Sequence, residues 1–356
     1  MTRKVLVTGG AGFIGSAFVR RTLNATEFSI VNVDKLTYAA SPEALSDVAS
    51  HPRYGFEKAD IADAQAMRRI LRDHRPDAII NLAAETHVDR SIDGPADFIR
   101  TNVVGTFTLL EAALDYWTSL KEKDRTAFRF VQVSTDEVFG SLGPDGRFSA
   151  DSPHRPNSPY AASKASADHL TRAWFRTYGL PTVTSHSSNN YGPFQFPEKL
   201  IPLVVDKALA GEPIPVYGKG ENVRDWLFVE DHADALLVIL DRGTPGETYL
   251  VGGQEERTNL DVVRSICRIL DELQPSPGGK PYERSIAFVA DRPGHDFRYA
   301  VDCSKVTDSF GWRPRHDFES GLRRTLLWYL ANRDWRRRIG SSAGVGDRLG
   351  LRRTAG

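Results

Sequence analysis

Two groups of residues have the types and the spacing to do chemistry. In Ser158-Pro159-Tyr160-Ala161-Ala162-Ser163-Lys164 a phenol and an ammonium group lie four residues apart, and Pro159 suits the first turn of a helix, so Tyr160 and Lys164 share one helical face. A free phenol titrates near about 10, and holding it as a base near neutrality takes about 4 kcal/mol of electrostatic help, which Lys164 and a cationic ring beside it would supply. Alone, such a pair is an ordinary surface contact. The second group is Val131-Gln132-Val133-Ser134-Thr135-Asp136-Glu137, a strand-like run ending in two hydroxyls and two adjacent carboxylates. Alone again, it reads as a solvated loop. Open α/β sheets place their chemistry at the carboxyl ends of strands, and one edge holding both groups gathers a phenol base, hydroxyl donors and an acid and base pair.

A third segment suggests what those groups would serve. Thr8-Gly9-Gly10-Ala11-Gly12-Phe13-Ile14-Gly15 lies between a strand pattern and a helix pattern, with Gly9, Gly12 and Gly15 where a backbone must turn tightly, approach a pyrophosphate and pack on a sheet. Glycine spacing by itself is weak, but Asp34 ends the next strand about 20 residues further on, where a carboxylate accepts from ribose hydroxyls and repels a 2′-phosphate. NAD is therefore expected rather than NADP. Asp60-Ile61 would address the adenine, and Leu82-Ala83-Ala84 offer small residues for a strand end passing beneath the cofactor.

Together these groups fit elimination assisted by a transient oxidation. A sugar C6 hydroxyl leaves poorly and the C5 proton is not acidic, but a ketone at C4 places that proton alpha to a carbonyl. One carboxylate then removes it while the other, protonated, delivers a proton to the departing hydroxyl, which requires their pKa values to be driven apart.

The elements that must position these residues follow from periodicity. Short β-branched runs recur up to about residue 190 (Val5 to Val7, Ile30 to Val33, Ala78 to Leu82, Phe128 to Val133, Thr182 to Ser185) between helical patterns through Phe13 to Phe18, Phe98 to Leu110 and Ala165 to Trp174. Such alternation predicts an α/β fold with a doubly wound parallel Rossmann-type sheet over residues 1–190. Pro193, Pro197, Pro202, Pro213, Pro215, Gly218 and Gly220 then punctuate the chain, marking a smaller substrate-binding lobe over 191–331. Returns to the first domain are expected near 225–250, where Val229 to Asp241 looks helical, and near 295–305. Residues 340–356, rich in Gly, Ser and Arg, read as a mobile tail.

Composition narrows the partners. Lys plus Arg and Asp plus Glu both total 46 in 356 residues, so net charge gives no reason to expect nucleic acid. Two cysteines are too few for a disulfide framework, and Cys267 falls in the apolar-periodic stretch Val263 to Leu270, a buried helix face. A reducing cytoplasm fits. The first residues run into a strand pattern without a cleavable apolar segment, and no stretch is long and apolar enough to span a bilayer, so no membrane partner is expected.

With these motifs assembled, the chain from about residue 3 to about 331 resembles the nucleotide-sugar 4,6-dehydratases of the extended short-chain dehydrogenase/reductase superfamily. The segments that carry the likeness are VTGGAGFIGS, VNVDKLTYA, NLAAETHVDRSI, STDEVFG, SPYAASKASADHL, SNNYGPFQFPEKLIPL, YGKGENVRDWLFVEDHA and DRPGHDFRYA. STDEVFG is the most specific, since related epimerases and decarboxylases share the glycines and the Tyr/Lys pair but lack the Asp-Glu pair.

The resemblance implies an NAD-dependent lyase that oxidises dTDP-glucose at C4, eliminates water across C5 and C6, and returns hydride to C6. It places Thr135 on the C4 oxygen, Asp136 as acid, Glu137 as C5 base, Tyr160 as C4 base, and Lys164 on Tyr160 and the nicotinamide ribose. Lys35 and Ser134 join the implied cofactor contacts. The implied sugar-nucleotide contacts are Thr86, Asn189, Lys199 and Leu200, then Pro215, Tyr217 and Arg224, then Asn259, Arg292 and His295. Arg224, a permanently charged fork, also suits a diphosphate on physical grounds. His87, His186 and His232 receive no catalytic role, and no metal is expected. Phe139 stands where the family usually has tyrosine, and the segment beyond about Asn332 lies outside the likeness. UDP-glucose is the alternative substrate, because one methyl group in a hydrophobic pocket discriminates by only about 1 to 3 kcal/mol. A catalytically silent NAD-binding protein is the alternative class, which loss of Tyr160, Lys164 or the Asp-Glu pair would have signalled. The helices around Phe98 to Leu114 and Ala165 to Trp174 resemble the family's paired-helix interface and imply a homodimer.

Overall fold

The computed structural model describes residues 3–342. The five β-branched runs form β1 (Lys4–Thr8), β2 (Ser29–Asp34), β4 (Ala78–Asn81), β5 (Arg129–Thr135) and β6 (Thr182–Ser187), and the segment before Asp60 forms β3 (Tyr54–Lys58). Most are apolar on both faces, as strands covered from both sides must be. In β1, Val5 and Val7 enter one core and Leu6 the other, and β4 separates Ala78 and Ile80 from Ile79 in the same way. The helices Phe13–Ala25 and Val229–Arg242 supply Phe18, Val19, Leu236 and Ile239 to the first core. Ala64–His74, Thr106–Thr118 and Pro159–Tyr178 supply Met67, Ile70, Leu109, Leu110 and Trp174 to the second.

Further along lie β7 (Asn189–Tyr191), β8 (Ile214–Tyr217), β9 (Val223–Phe228), β10 (Thr248–Val251), β11 (Glu256–Thr258) and β12 (Ile286–Val289). The large sheet runs β10-β6-β5-β4-β1-β2-β3, and every pairing in it is parallel. Strand order therefore departs in opposite directions from β1 and β4, which opens a crevice at their carboxyl ends. The smaller region holds the three strands β11-β9-β7 and the pair β12-β8. Its core gathers Tyr191, Trp226, Phe228, Ile266, Phe318 and Tyr329.

The chain moves between the two regions more than once. After β9, the helix Val229–Arg242 packs on Phe13–Ala25 and β10 pairs with β6, while Tyr299, Val301 and Cys303 enter the core of the large sheet.

Two local features differ from the periodicity. Across Phe98 to Leu114 the helix is interrupted: Pro95–Phe98 is α-helical, Ile99–Gly105 π-helical and Thr106–Thr118 α-helical. The wide turn carries Asn102, whose amide donates to the Glu85 carbonyl at 3.0 Å and to Ser163 Oγ at 2.8 Å and accepts from the Glu85 N–H at 2.8 Å, tying the loop after β4 to the helix of Tyr160. The second is the helix Arg333–Ser342, which runs into the segment expected to be a tail. Trp335 and Ile339 join the smaller core, and Trp335 Nε1 donates to Ser41 Oγ at 2.9 Å. The rest of that expected tail, from residue 343, lies outside the described residues.

Candidate active site

The site is built where β1, β2, β4 and β5 end. Gly9 follows β1 with φ +70°, and a Cβ there would stand 2.6 Å from the Ala83 nitrogen, so the turn after β1 and the loop after β4 approach as only glycine permits. Gly15 is equally confined, its Cβ falling 2.1 Å from the Gly9 carbonyl oxygen. Gly12 caps the helix Phe13–Ala25 with no side-chain bond, leaving the first helical amides for an anion. This cradle fits a pyrophosphate.

Asp34 ends β2. Its Oδ2 accepts from the Ala11 N–H at 2.9 Å and its Oδ1 from the Leu36 N–H at 2.8 Å, which fixes the plane of the carboxylate. Burial raises its pKa and these two amides oppose that. Lys35 Nζ lies 3.7 Å from both Asp60 Oδ2 and Glu85 Oε1 and donates to Thr101 Oγ1 at 2.9 Å.

At the end of β5 the chain turns through a single 3₁₀ turn, Asp136–Phe139, capped by Thr135, whose Oγ1 accepts from the Glu137 N–H at 3.3 Å. Opposite stands the helix Pro159–Tyr178, started by Pro159 and by Ser158, whose hydroxyl accepts from the Ala161 N–H at 3.1 Å, and ended by Gly179 in the left-handed region. Lys164 Nζ donates to the Val133 carbonyl at 2.7 Å, pinning this helix to the catalytic strand.

One cavity is lined by every residue expected to hold the cofactor (Gly9, Gly12, Phe13, Ile14, Gly15, Asp34, Lys35, Asp60, Ile61, Leu82, Ala83, Ala84, Ser134, Tyr160 and Lys164). Thr135, Asp136, Glu137, Thr86, Asn189 and Lys199 line it as well. Leu200, Pro215, Tyr217, Arg224, Asn259, Arg292 and His295 do not belong to that wall. They lie on the smaller region's side, and the charges of Arg224 and Arg292 still act on Glu137. Arg224 is almost fully buried; its guanidinium donates to the carbonyls of Val223, Phe297 and Asp296 at 2.8, 3.2 and 2.8 Å and lies over the Tyr299 ring. Arg292 donates to Asp89 Oδ1 at 2.9 Å, and the Tyr217 hydroxyl donates to Asp89 Oδ2 at 3.3 Å. His295 Nδ1 is 2.6 Å from Asp291 Oδ1, and burial together with Arg292 pushes its pKa down to about 4.

The electrostatics separate the two carboxylates. Burial pushes Asp136 well above the ordinary carboxylate range, the charges of Glu137 and Asp225 add to the effect, and only then does Arg224 oppose it. Its Oδ2 is buried with no hydrogen-bond partner. Burial raises Glu137 too, but there Arg292, Lys199 and Arg224 all pull the other way. Asp136 is thus the residue that holds a proton and Glu137 the one readier to lose it. Burial also pushes the Tyr160 phenol well above its ordinary value, Glu137 adds to this, and a hydrogen bond with Thr135 opposes it.

Reading motifs alone passed over several residues. Glu198 lines the cavity beside Lys199, accepting from Arg90 Nε at 2.9 Å and from the Tyr38 hydroxyl at 3.2 Å. Asp89 sits on the six-residue helix Val88–Asp93, too short to show periodicity. Asp168 accepts from Ser134 Oγ at 2.7 Å, one helical turn beyond Lys164.

The GDP-mannose 4,6 dehydratase family model matches residues 6–325. The chain is 55% identical over 359 residues to a dTDP-glucose 4,6-dehydratase of Escherichia coli, an alignment covering 98% of this chain and 99% of that one. It is similar to the solved structure of a dTDP-glucose 4,6-dehydratase of Streptomyces venezuelae with NAD bound, at 44% identity and a TM-score of 0.86 over 94% of this chain and 99% of that one. The corresponding enzyme of Bacillus anthracis, in complex with NAD, is similar at 43% identity and a TM-score of 0.84 over 95% and 100%.

Proposed function

The chain belongs to the GDP-mannose 4,6 dehydratase family, and from that premise we propose that oxidation, elimination and reduction follow one another on a single bound sugar nucleotide in the cavity between β1, β4 and β5. The protein is an NAD-dependent lyase that converts dTDP-glucose to dTDP-4-keto-6-deoxyglucose. The Gly9 to Gly15 turn and Asp34 would hold NAD, which would supply a reversible hydride acceptor for the oxidation at C4 and the reduction at C6.

The chain's own groups then have distinct tasks. Tyr160 Oη takes the proton of the C4 hydroxyl while Thr135 Oγ1 hydrogen-bonds the same oxygen. Burial alone holds the phenol too weakly acidic for this, so positive charge close by must lower it; we assign that charge to Lys164, one turn along the helix. Glu137 removes the C5 proton. Asp136, sealed and protonated, gives its proton to the C6 hydroxyl as it leaves. Lys199, Arg224 and Arg292 surround Glu137 with positive charge and suit a diphosphate.

The observation that carries this reading is the placement of Asp136, whose Oδ2 is buried without a partner, and of Glu137, which faces the charges of Arg292, Lys199 and Arg224, inside the cavity that also holds the glycine turn. Incubation with dTDP-glucose and with UDP-glucose separately tests it. A 4-keto-6-deoxy product from dTDP-glucose is expected, with deuterium placed at C4 recovered at C6 of the same molecule. Washout of that label overturns the single-site order.

A homodimer is part of the same proposal. Ile99, Val104 and Phe107 are 47, 45 and 43% exposed on the π turn and the helix after it, and Phe107 meets Trp174 of the catalytic helix edge-on at 5.8 Å. An apolar patch on these paired helices suits a second copy. Sedimentation giving only monomer at micromolar concentration overturns it. The cytoplasm is the compartment we infer, supported by Cys267 and Cys303 being buried and unpaired; among the described residues no helix is long and apolar enough to cross a membrane.

A further inference from the structure

Behind the catalytic strand, on the face of β5 and β6 covered by the helix Pro159–Tyr178, three side chains meet that the dehydration chemistry does not use. His186 pairs in register with Ser134 across the two strands, and its Nε2 lies 3.0 Å from Asp168 Oδ2. His154 approaches from the loop before the helix, held there by the Arg155 N–H, which donates to the Val138 carbonyl at 2.9 Å. One nitrogen of each imidazole and one oxygen of Asp168 lie within 4.8 Å of one another. Independently, each of the three carries a buried atom with no hydrogen-bond partner: His154 Nδ1, Asp168 Oδ1 and His186 Nδ1. Leaving such groups unsatisfied costs about 1 to 3 kcal/mol each, so three in one place point to a ligand.

We propose that His154, Asp168 and His186 form a binding site for a divalent transition metal ion, with Zn(II) as the best match to two imidazoles and a carboxylate. Three protein ligands leave a fourth position for water, the arrangement of open zinc sites. Ligands about 2.1 Å from a tetrahedral ion stand about 3.4 Å apart, and one ligand atom from each of the three residues already lies within 4.8 Å of the others. His154 closes the set. It belongs to neither helix nor strand and is half-buried, which leaves the site a path to solvent. Phe139, the residue that departs from the family's usual tyrosine, packs at 5.3 and 4.9 Å from the rings of His154 and His186 and gives the site an apolar wall.

The test uses the full-length protein freed of metal by chelation and then titrated with Co(II), whose visible d–d bands report four-coordinate N/O ligation. Bands that saturate at one equivalent and are removed by Zn(II) are expected. His154→Ala and His186→Asn should each weaken Co(II) binding by more than the about 10- to 100-fold that follows loss of an outer-shell partner. Far-UV circular dichroism checks both variants. Should His186→Asn fail to fold, His154→Ala, altered only in a loop, carries the comparison. Absence of such bands in the unmodified protein, or an affinity unchanged in His154→Ala, overturns the site.

Discussion

Asp136 and Glu137 are consecutive in one 3₁₀ turn, yet Asp136 Oδ2 is buried without a partner while Glu137 is under the influence of Arg292, Lys199 and Arg224. In the proposed order hydride transfer from C4 does not draw on either carboxylate, so reduction of bound NAD on adding dTDP-glucose should survive both Asp136→Asn and Glu137→Gln. Product formation should fall about 100- to 10,000-fold in each. Glu137→Gln should also lose exchange of the C5 hydrogen with solvent deuterium, whereas Asp136→Asn should retain it. Rapid-mixing absorbance and mass spectrometry separate these outcomes; full C5 exchange in Glu137→Gln sinks the assignment.

Asp225 offers a pH test. Burial raises its carboxyl to about 6 from an ordinary 3.8, with the N–H of Glu255 opposing. The raised value means the folded state keeps a proton that the unfolded chain loses between about pH 4 and 6. The stability linked to this proton is therefore complete below about pH 4 and is lost as pH rises through about 6, to a total of about 3 kcal/mol. Thermal unfolding of the unmodified protein and of Asp225→Asn, followed from pH 4.5 to 7.5, should show the variant gaining relative to the unmodified protein across that window. A constant difference between them excludes the linkage.

Gly9→Ala places a methyl group against the Ala83 nitrogen at a φ of +70°. The left-handed backbone alone costs about 1 to 2 kcal/mol, and the clash has only backbone to push against. Calorimetry should find NAD affinity lowered at least about tenfold, accompanied by a lower Tm. Affinity within a factor of two of the unmodified protein contradicts this account of the turn.

Asp34→Asn removes the charge and keeps an acceptor oxygen for only one of the Ala11 and Leu36 amides. A charge-assisted hydrogen bond contributes about 1.5 to 3 kcal/mol, so NAD affinity should fall about 10- to 100-fold and the preference over NADP should narrow. An unaltered NAD to NADP ratio shows that the ribose is read elsewhere.

Much of the fold was legible because two strong periodicities coincide with it. Val5, Leu6 and Val7 announce a strand covered on both faces, and Ser158 with Pro159 announces where the catalytic helix begins. Arg224 was legible as a cation but not as one whose donors go to three backbone carbonyls, since that depends on how residues 296 and 297 fold over it. The helix Arg333–Ser342 was missed for a similar reason: its four arginines and its Ser, Gly and Asp outweigh Trp335 and Ile339, and its partner Ser41 is 294 residues away. His154, Asp168 and His186 come from a loop, a helix and a strand, so no spacing rule for metal ligands could group them.

The place of β10 at the edge of the large sheet has a consequence for biosynthesis. β6 emerges from the ribosome about 60 residues before the strand that pairs with its outer side. During that interval the backbone of β6 is an open edge, and the helix Val229–Arg242, which covers Phe18 and Val19, has not fully appeared. The first lobe is thus a nascent intermediate with an unpaired strand and an uncovered apolar face until Val251 is clear of the tunnel, and slow translation between Ser187 and Val251 prolongs the period in which it is open to aggregation or to chaperone capture.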